Sequence, residues 1–290
     1  MTLADLLLTP FLEFSFMRRA LVGCFALALG AAPVGVFLML RRMSLMGDVM
    51  AHAILPGAAV GFLVAGLSLG AMTAGGLTAG LIVALLAGLV SRVTPLREDA
   101  SFAAFYLISL AAGVLIVSMR GSSVDLMHIL FGTVLALNDA ALRLIASIAT
   151  LTLFAMAAIY RGLVAECFDP GFLRVAGVSG PFVHLIFLAL VVLDLVGGFH
   201  ALGTLMVVGI MMLPAVAARF CASQIWSMIL AALLIAVVAS YAGLLLSYHA
   251  NLPSGPAIIL MAGGLCGISI LAGGRDGVLV RLFRRRHLKA

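Results

Sequence analysis

PFVHLIFLALVVLDLVGGFHALGTLMVVGIMMLPAVAA, residues 181–218, is the stretch that decides the fold. Its only ionisable side chains are His184, Asp194 and His200. A bilayer crossing takes about 20 mostly apolar residues, so this run is long enough for two crossings in succession. Gly197-Gly198 and Pro214 are the points at which it reads as broken. Outward from it, the same pattern recurs at 20–40, 50–68, 72–90, 101–119, 142–160, 225–247 and 256–273. With 181–218 counted as one span or two (181–199 and 200–218), the chain has eight or nine. The predicted fold class is all-α: a polytopic membrane protein forming a single transmembrane domain over 1–290.

Composition excludes an aqueous fold. Apolar residues make up 64% of the chain and charged residues 10%, against roughly 45–50% and about 25% in soluble domains. A chain of this size has too little interior to hide that much apolar surface from water. Lipid is the solvent that accepts it.

The net charge of +6 is carried almost wholly by arginine, since Lys289 is the only lysine. If the tail is cytoplasmic and nine spans alternate, Arg41/Arg42, Arg92/Arg97, Arg161/Arg174, Arg219 and the basic residues from Arg275 onward all fall inside. Arg18, Arg19, Arg120 and Arg143 fall outside, of which Arg18/Arg19 fit least well at the start of the first span. The bias follows the positive-inside rule. The basic tail 275–290 then reads as a solvated, membrane-anchoring segment and not as a nucleic-acid patch. Cys24, Cys167, Cys221 and Cys266 lack C-x-x-C spacing, which argues against a zinc-thiolate site or a disulfide framework. Met1 to Phe16 carries no basic residue ahead of its apolar stretch and does not read as a cleavable signal.

Residues 121–140, GSSVDLMHILFGTVLALNDA, are too short and too polar at both ends to cross. They read as a re-entrant or interfacial half-helix on the outer side. Backbone of that kind is tolerated at membrane depth only against protein or a wet cavity, which points to a pathway. Small residues at four-residue spacing, as in Gly76-x-x-x-Gly80, report close helix packing.

The chemistry concentrates in RRMSLMGDVMAHAILPG, 41–57. Asp48 and His52 are spaced i, i+4, which puts a carboxylate and an imidazole on one helix face. Ionisable groups in a span are costly and usually face a cavity or a partner. An oxygen and a nitrogen ligand together suit a divalent transition metal. Pro56 lacks an N–H and so deprives the His52 carbonyl of its helical donor. The plainer alternative is that Asp48, following Gly47, caps the second span and His52 is a hydrogen-bonded packing residue.

RRMSLMGD-x-x-x-H-x-x-LPG closely resembles the signature of permeases of metal-importing ABC transporters, the zinc/manganese/iron type. HILFGTVLAL (128–137), FDPGFLRVAG (168–177), GFHALGTLMVVGIMMLPAVAARF (198–220) and LPSGPAIIL (252–260) resemble further segments of that family, in order, from about Phe16 to Gly274. The resemblance implies a type II importer fold in the bacterial cytoplasmic membrane. It implies a second permease copy (identical or paralogous), separate cytoplasmic ABC ATPase subunits that use the ATP, and an extracytoplasmic metal-binding protein. Asp48 and His52 would then bind the ion, Zn²⁺, Mn²⁺ or Fe²⁺, in transit, with no permanently bound cofactor.

It also implies that 161–180 is the cytoplasmic coupling segment. The local residues agree. Asp169 suits an N-cap, Pro170 the first helical position and Gly177 the C-terminal stop, with Phe168, Phe172 and Val175 as apolar knobs and Arg174 between them. An ordinary interfacial loop helix fits the same residues. Lys289 being the only lysine, no G-x-x-x-x-G-K-[ST] phosphate loop exists, so ATP hydrolysis is expected on another polypeptide and the chain is not expected to be an enzyme.

Weaker metal candidates are Asp125 and His128 before the half-helix, Asp194 and His200, and His249 with Asn251 at an outer span end. Asp194 and His200 share a face only if Gly197-Gly198 breaks the helix. His184 reads as structural, and most of the 15 methionines as gap fillers. Three competing readings remain. A permease for a bulky metal chelate should lack a compact carboxylate–imidazole pair. An ion-coupled secondary carrier should work without an ATPase. An intramembrane metalloenzyme should carry a closed motif such as H-E-x-x-H, which does not occur.

Overall fold

Apolar runs in hydrocarbon must satisfy every backbone N–H and C=O internally, and helices do so within one segment. The computed structural model of the chain describes residues 3–66, 68–119, 137–168, 180–275 and 277–280. Ten helices account for nearly all of them: α1 Leu3–Glu13, α2 Ser15–Leu40, α3 Met46–Ala65, α4 Leu69–Val93, α5 Glu98–Met119, α6 Asp139–Phe168, α7 Gly180–Leu202, α8 Thr204–Cys221, α9 Ile225–Ala250 and α10 Ser254–Ala272. Nine of these, α2 to α10, are long and apolar enough to cross a bilayer. The choice between eight and nine spans is thereby settled at nine among the described residues. Of the half-helix expected at 121–140, residues 121–136 lie outside the described residues and 139–140 belong to the start of α6; the tail from 281 and the short helix expected at 169–177 also lie outside them.

The break in the decisive stretch is not where the glycine pair suggested. Helix α7 runs unbroken through Gly197-Gly198 and stops at Gly203, whose φ of +89° is a left-handed conformation that glycine adopts without a Cβ penalty. The glycine pair serves packing instead. A Cβ on Gly197 would press into Ile148 of α6, and one on Gly198 into Val207 of α8 and Leu27 of α2. Pro214 is accommodated inside α8.

Helices α2 and α7 form the spine of the bundle and are the most buried. On one side α3, α4 and α5 pack as a trio, and on the other α8, α9 and α10 do so; α2 meets α6, α8 and α9, while α7 meets α4 and α6. Lipid tails are as apolar as leucine, so close approach and hydrogen bonds must hold such a bundle. Helices α3 and α4 meet backbone to backbone: a Cβ on Gly57 would strike the Gly75 carbonyl, and one on Gly61 the Ala71 carbonyl. Ser101 of α5 donates to the Ala87 carbonyl of α4 at 2.8 Å, and Tyr241 of α9 to the Leu7 carbonyl of α1 at 2.9 Å. The first span begins at Ser15, earlier than its hydropathy suggested, so Arg18 and Arg19 lie within α2. Arg19 pairs with Asp139 at 3.4 Å, joining the N-terminal ends of α2 and α6.

Candidate metal centre

Helix α2 ends in a Schellman motif. Arg42 takes the left-handed conformation (φ 60°), its N–H reaches the Met39 carbonyl at 3.1 Å, and the Met43 N–H reaches the Leu38 carbonyl at 2.9 Å. Met43 and Leu38 are both buried, supplying the apolar contact that accompanies the motif. The reversal delivers the chain into α3 at Met46. The N-cap of α3 is Leu45, which makes no side-chain capping bond, and Asp48 stands three residues inside. Asp48 is therefore not the cap that the plainer reading required.

Asp48 Oδ1 and His52 Nε2 lie 3.7 Å apart, with 67% and 33% of their side chains exposed. That separation is too long for a hydrogen bond. Around them α3 is firmly placed. Met46, Met50 and Ala51 are buried, Tyr106 of α5 sets its ring 6.3 Å from that of His52, and Ser109 of α5 donates to the Ala53 carbonyl at 3.1 Å. Pro56 sits inside α3, and its ring lies where a Cβ on Gly113 of α5 would fall. Tyr106 and Ser109 carried no sequence signal, because a tyrosine and a serine in an apolar run are ordinary. Among the described residues no group of three or more His, Cys, Asp and Glu side chains gathers at metal-binding distance.

The weaker candidates separate in space. Asp194 is 3% exposed in the middle of α7, where the Thr152 hydroxyl of α6 donates to its Oδ1 at 2.8 Å. A Cβ on Gly30 of α2 would lie 2.9 Å from that same oxygen, so the carboxyl is wedged among three helices. Helix α7 continues unbroken from Asp194 to His200, and the break that would have brought the two to one face is absent. His249 lies in the last turn of α9, with Asn251 as the left-handed C-cap. Asp125 and His128 lie outside the described residues, as do Asp169, Pro170, Phe172, Arg174 and Gly177 of the coupling segment. Phe168 ends α6 with its ring largely exposed.

A second polar group was not anticipated. The Arg41 guanidinium, at the end of α2, bonds Glu166 of α6 at 3.0 Å and His184 of α7, and lies 5.2 Å over the Phe187 ring. His184 Nε2 in turn meets Glu98, the first residue of α5, at 2.7 Å. A guanidinium only donates, so His184 Nδ1 accepts and Nε2 carries the hydrogen given to Glu98. Arg41, Glu166 and His184 are nearly buried, at 10%, 14% and 6% side-chain exposure. All four residues fall at the end of the bundle that also carries Arg42 and Arg97. Beside them a cavity of about 470 Å³ opens between α4 and α7, but its walls are leucine, alanine, phenylalanine and proline, with only His184 offering a ligand atom.

The profile described as "ABC 3 transport family" matches residues 13–273. The chain belongs to that family. Among its relatives, the manganese transport system membrane protein MntC of Halalkalibacterium halodurans is 30% identical over 279 residues, covering 96% of this chain and 94% of the relative. The manganese import system permease protein ScaB of Streptococcus parasanguinis is 32% identical over 248 residues, covering 86% and 87%. The solved structure of PsaBC from Streptococcus pneumoniae in complex with Fab superposes with a TM-score of 0.83 at 28% identity, over 97% of this chain and all of that one (100%). The chain is thus a membrane-spanning member of the ABC 3 family, with the permease fold that its motifs implied.

Proposed function

We propose that this chain is the permease subunit of an ATP-driven importer for a divalent transition-metal ion, with Asp48 and His52 as the ligands the ion meets in transit. The observation that carries this reading is the pair's geometry on α3: one oxygen and one nitrogen on a single exposed face, 3.7 Å apart. Two ligands each about 2.1 Å from an ion at the tetrahedral angle stand roughly 3.4 Å apart, so the pair needs only a small side-chain adjustment to close on a cation. A hydrated divalent ion does not cross hydrocarbon, and substitute ligands must replace its water. Two protein ligands hold an ion loosely enough to let it leave, with water, a backbone carbonyl or a second copy of the chain filling the remaining positions.

The names of the relatives favour Mn²⁺ as cargo, and Zn²⁺ and Fe²⁺ accept the same donor atoms. In this reading the protein lies in the bacterial cytoplasmic membrane, and an extracytoplasmic binding protein delivers the ion to a path between two permease copies. Separate ATPase subunits dock on the inner segment 161–180 through Phe168, Asp169, Pro170, Phe172, Arg174 and Gly177, and alternating access follows.

The test is reconstitution in liposomes. With its ATPase and binding protein, the chain should accumulate Mn²⁺ only when ATP is supplied. The chain alone, under any ion gradient, should accumulate none. Gradient-driven uptake by the chain alone would make it a secondary carrier.

A further inference from the structure

The ionic knot lies between the two places where the proposed function needs work to be transmitted. Glu166 stands two residues before the end of α6 at Phe168, and His184 in the first turns of α7, which opens at Gly180. The two described flanks of the 168–180 connection therefore converge on one guanidinium, that of Arg41. Arg41 is not on a loose loop. It begins the Schellman turn, Arg42 holds a left-handed φ of 60°, and Met43 and Met46 are buried at 4% and 2% exposure. Asp48 follows in the first turn of α3. A displacement of the α6 and α7 ends that drags Arg41 thus carries the start of α3, and with it the carboxylate of the metal pair.

We propose that Arg41, Glu166 and His184, with Glu98 behind His184, are positioning residues that couple motion of the facing ends of α6 and α7 to the Asp48–His52 pair. The proposal rests on the importer reading given above. Stability does not explain the knot. A buried ion pair seldom repays its desolvation, and apolar residues of like volume often do as well or better. Among the described residues Arg41 Nη1 and Glu166 Oε2 are buried and make no hydrogen bond to protein. Transmission between sites requires an element with two discrete arrangements that both sites bias, and exchange of partners around one guanidinium provides it.

The experiment uses the importer reconstituted with its ATPase and binding protein, comparing wild type with Glu166→Gln and with the double variant Arg41→Met/Glu166→Met. The double variant removes the charges and keeps the volume, so it should fold. Mn²⁺ transported per ATP hydrolysed should fall about fivefold or more in both variants. Mn²⁺ affinity per folded complex should stay within about twofold of wild type, well under a coupling-sized change. A ratio equal to wild type in either variant overturns the proposal. So does a loss of transport that vanishes once it is normalised to folded protein, or a double variant that does not fold, since either outcome makes the knot structural. Asp48→Ala in the same preparation separates the two readings. Wild type without ATP-driven uptake, or Asp48→Ala with normal uptake, sinks the importer site itself, whereas an intact Asp48 dependence with an unchanged ratio sinks only the coupling role.

Discussion

Asp48 and Asp194 are both carboxylates within candidate spans, and their surroundings could hardly differ more. The Asp48 side chain is 67% exposed, has an imidazole one helical turn away and makes no cap. Asp194 is 3% exposed, takes a hydrogen bond from Thr152 and is pressed against Gly30 of a third helix. An acid that exchanges a cation must be reachable. One that joins helices must be buried and bonded. The sequence offered Asp194 as a weaker metal candidate beside Asp48, and the neighbours across the bundle separate the two.

The largest effect expected from this contrast is at the pair. Asp48→Ala and His52→Ala should each bring ATP-driven Mn²⁺ uptake to background, about a hundredfold loss or more, with the protein still in the membrane; immunoblots beside uptake assays check it. Next in size is a change to the floor on which the pair stands. Gly57→Val would force a branched side chain into the Gly75 carbonyl of α4, where overpacking costs at least about 1–3 kcal/mol. The expected readout is a sharply lowered melting temperature in detergent and lost uptake, because α3 can no longer seat against α4.

At the second carboxylate the effects should be structural and smaller. Thr152→Val deletes the hydroxyl that serves Asp194 Oδ1 and should cost about 1–3 kcal/mol, seen as a lower melting temperature with uptake per folded molecule unchanged. Asp194→Asn keeps an oxygen for Thr152 and should leave uptake within about twofold, as expected for exchange of one hydrogen-bonding group for another. Uptake abolished by Asp194→Asn at normal abundance would erase the contrast and put Asp194 on the ion's path.

Much of the fold was legible because lipid imposes one rule on every span: length and hydropathy suffice to find it. Eight or nine spans, the connection of α2 to α3 and the family all follow from runs of sequence read locally, and the described residues hold nine helices long and apolar enough to cross. The errors were equally physical. Gly197-Gly198 looked like a break because glycine disfavours helix, but in a tight bundle it is the residue that lets Ile148, Val207 and Leu27 approach. The Asp48–His52 pair was legible because its members are four residues apart. The Arg41–Glu166–His184–Glu98 knot was not, because its members come from four helices and each has a local excuse. Arginine at an inner span end, acids near loops and a histidine near a span terminus are all unremarkable alone.

The most direct test of the central claim is pulsed electron paramagnetic resonance on Mn²⁺ bound to the assembled importer. The account predicts a ¹⁴N coupling from a histidine on the metal that disappears in His52→Ala, with Mn²⁺ affinity falling in Asp48→Ala. Bound Mn²⁺ with a histidine coupling that survives His52→Ala, or with none in wild type, would contradict it.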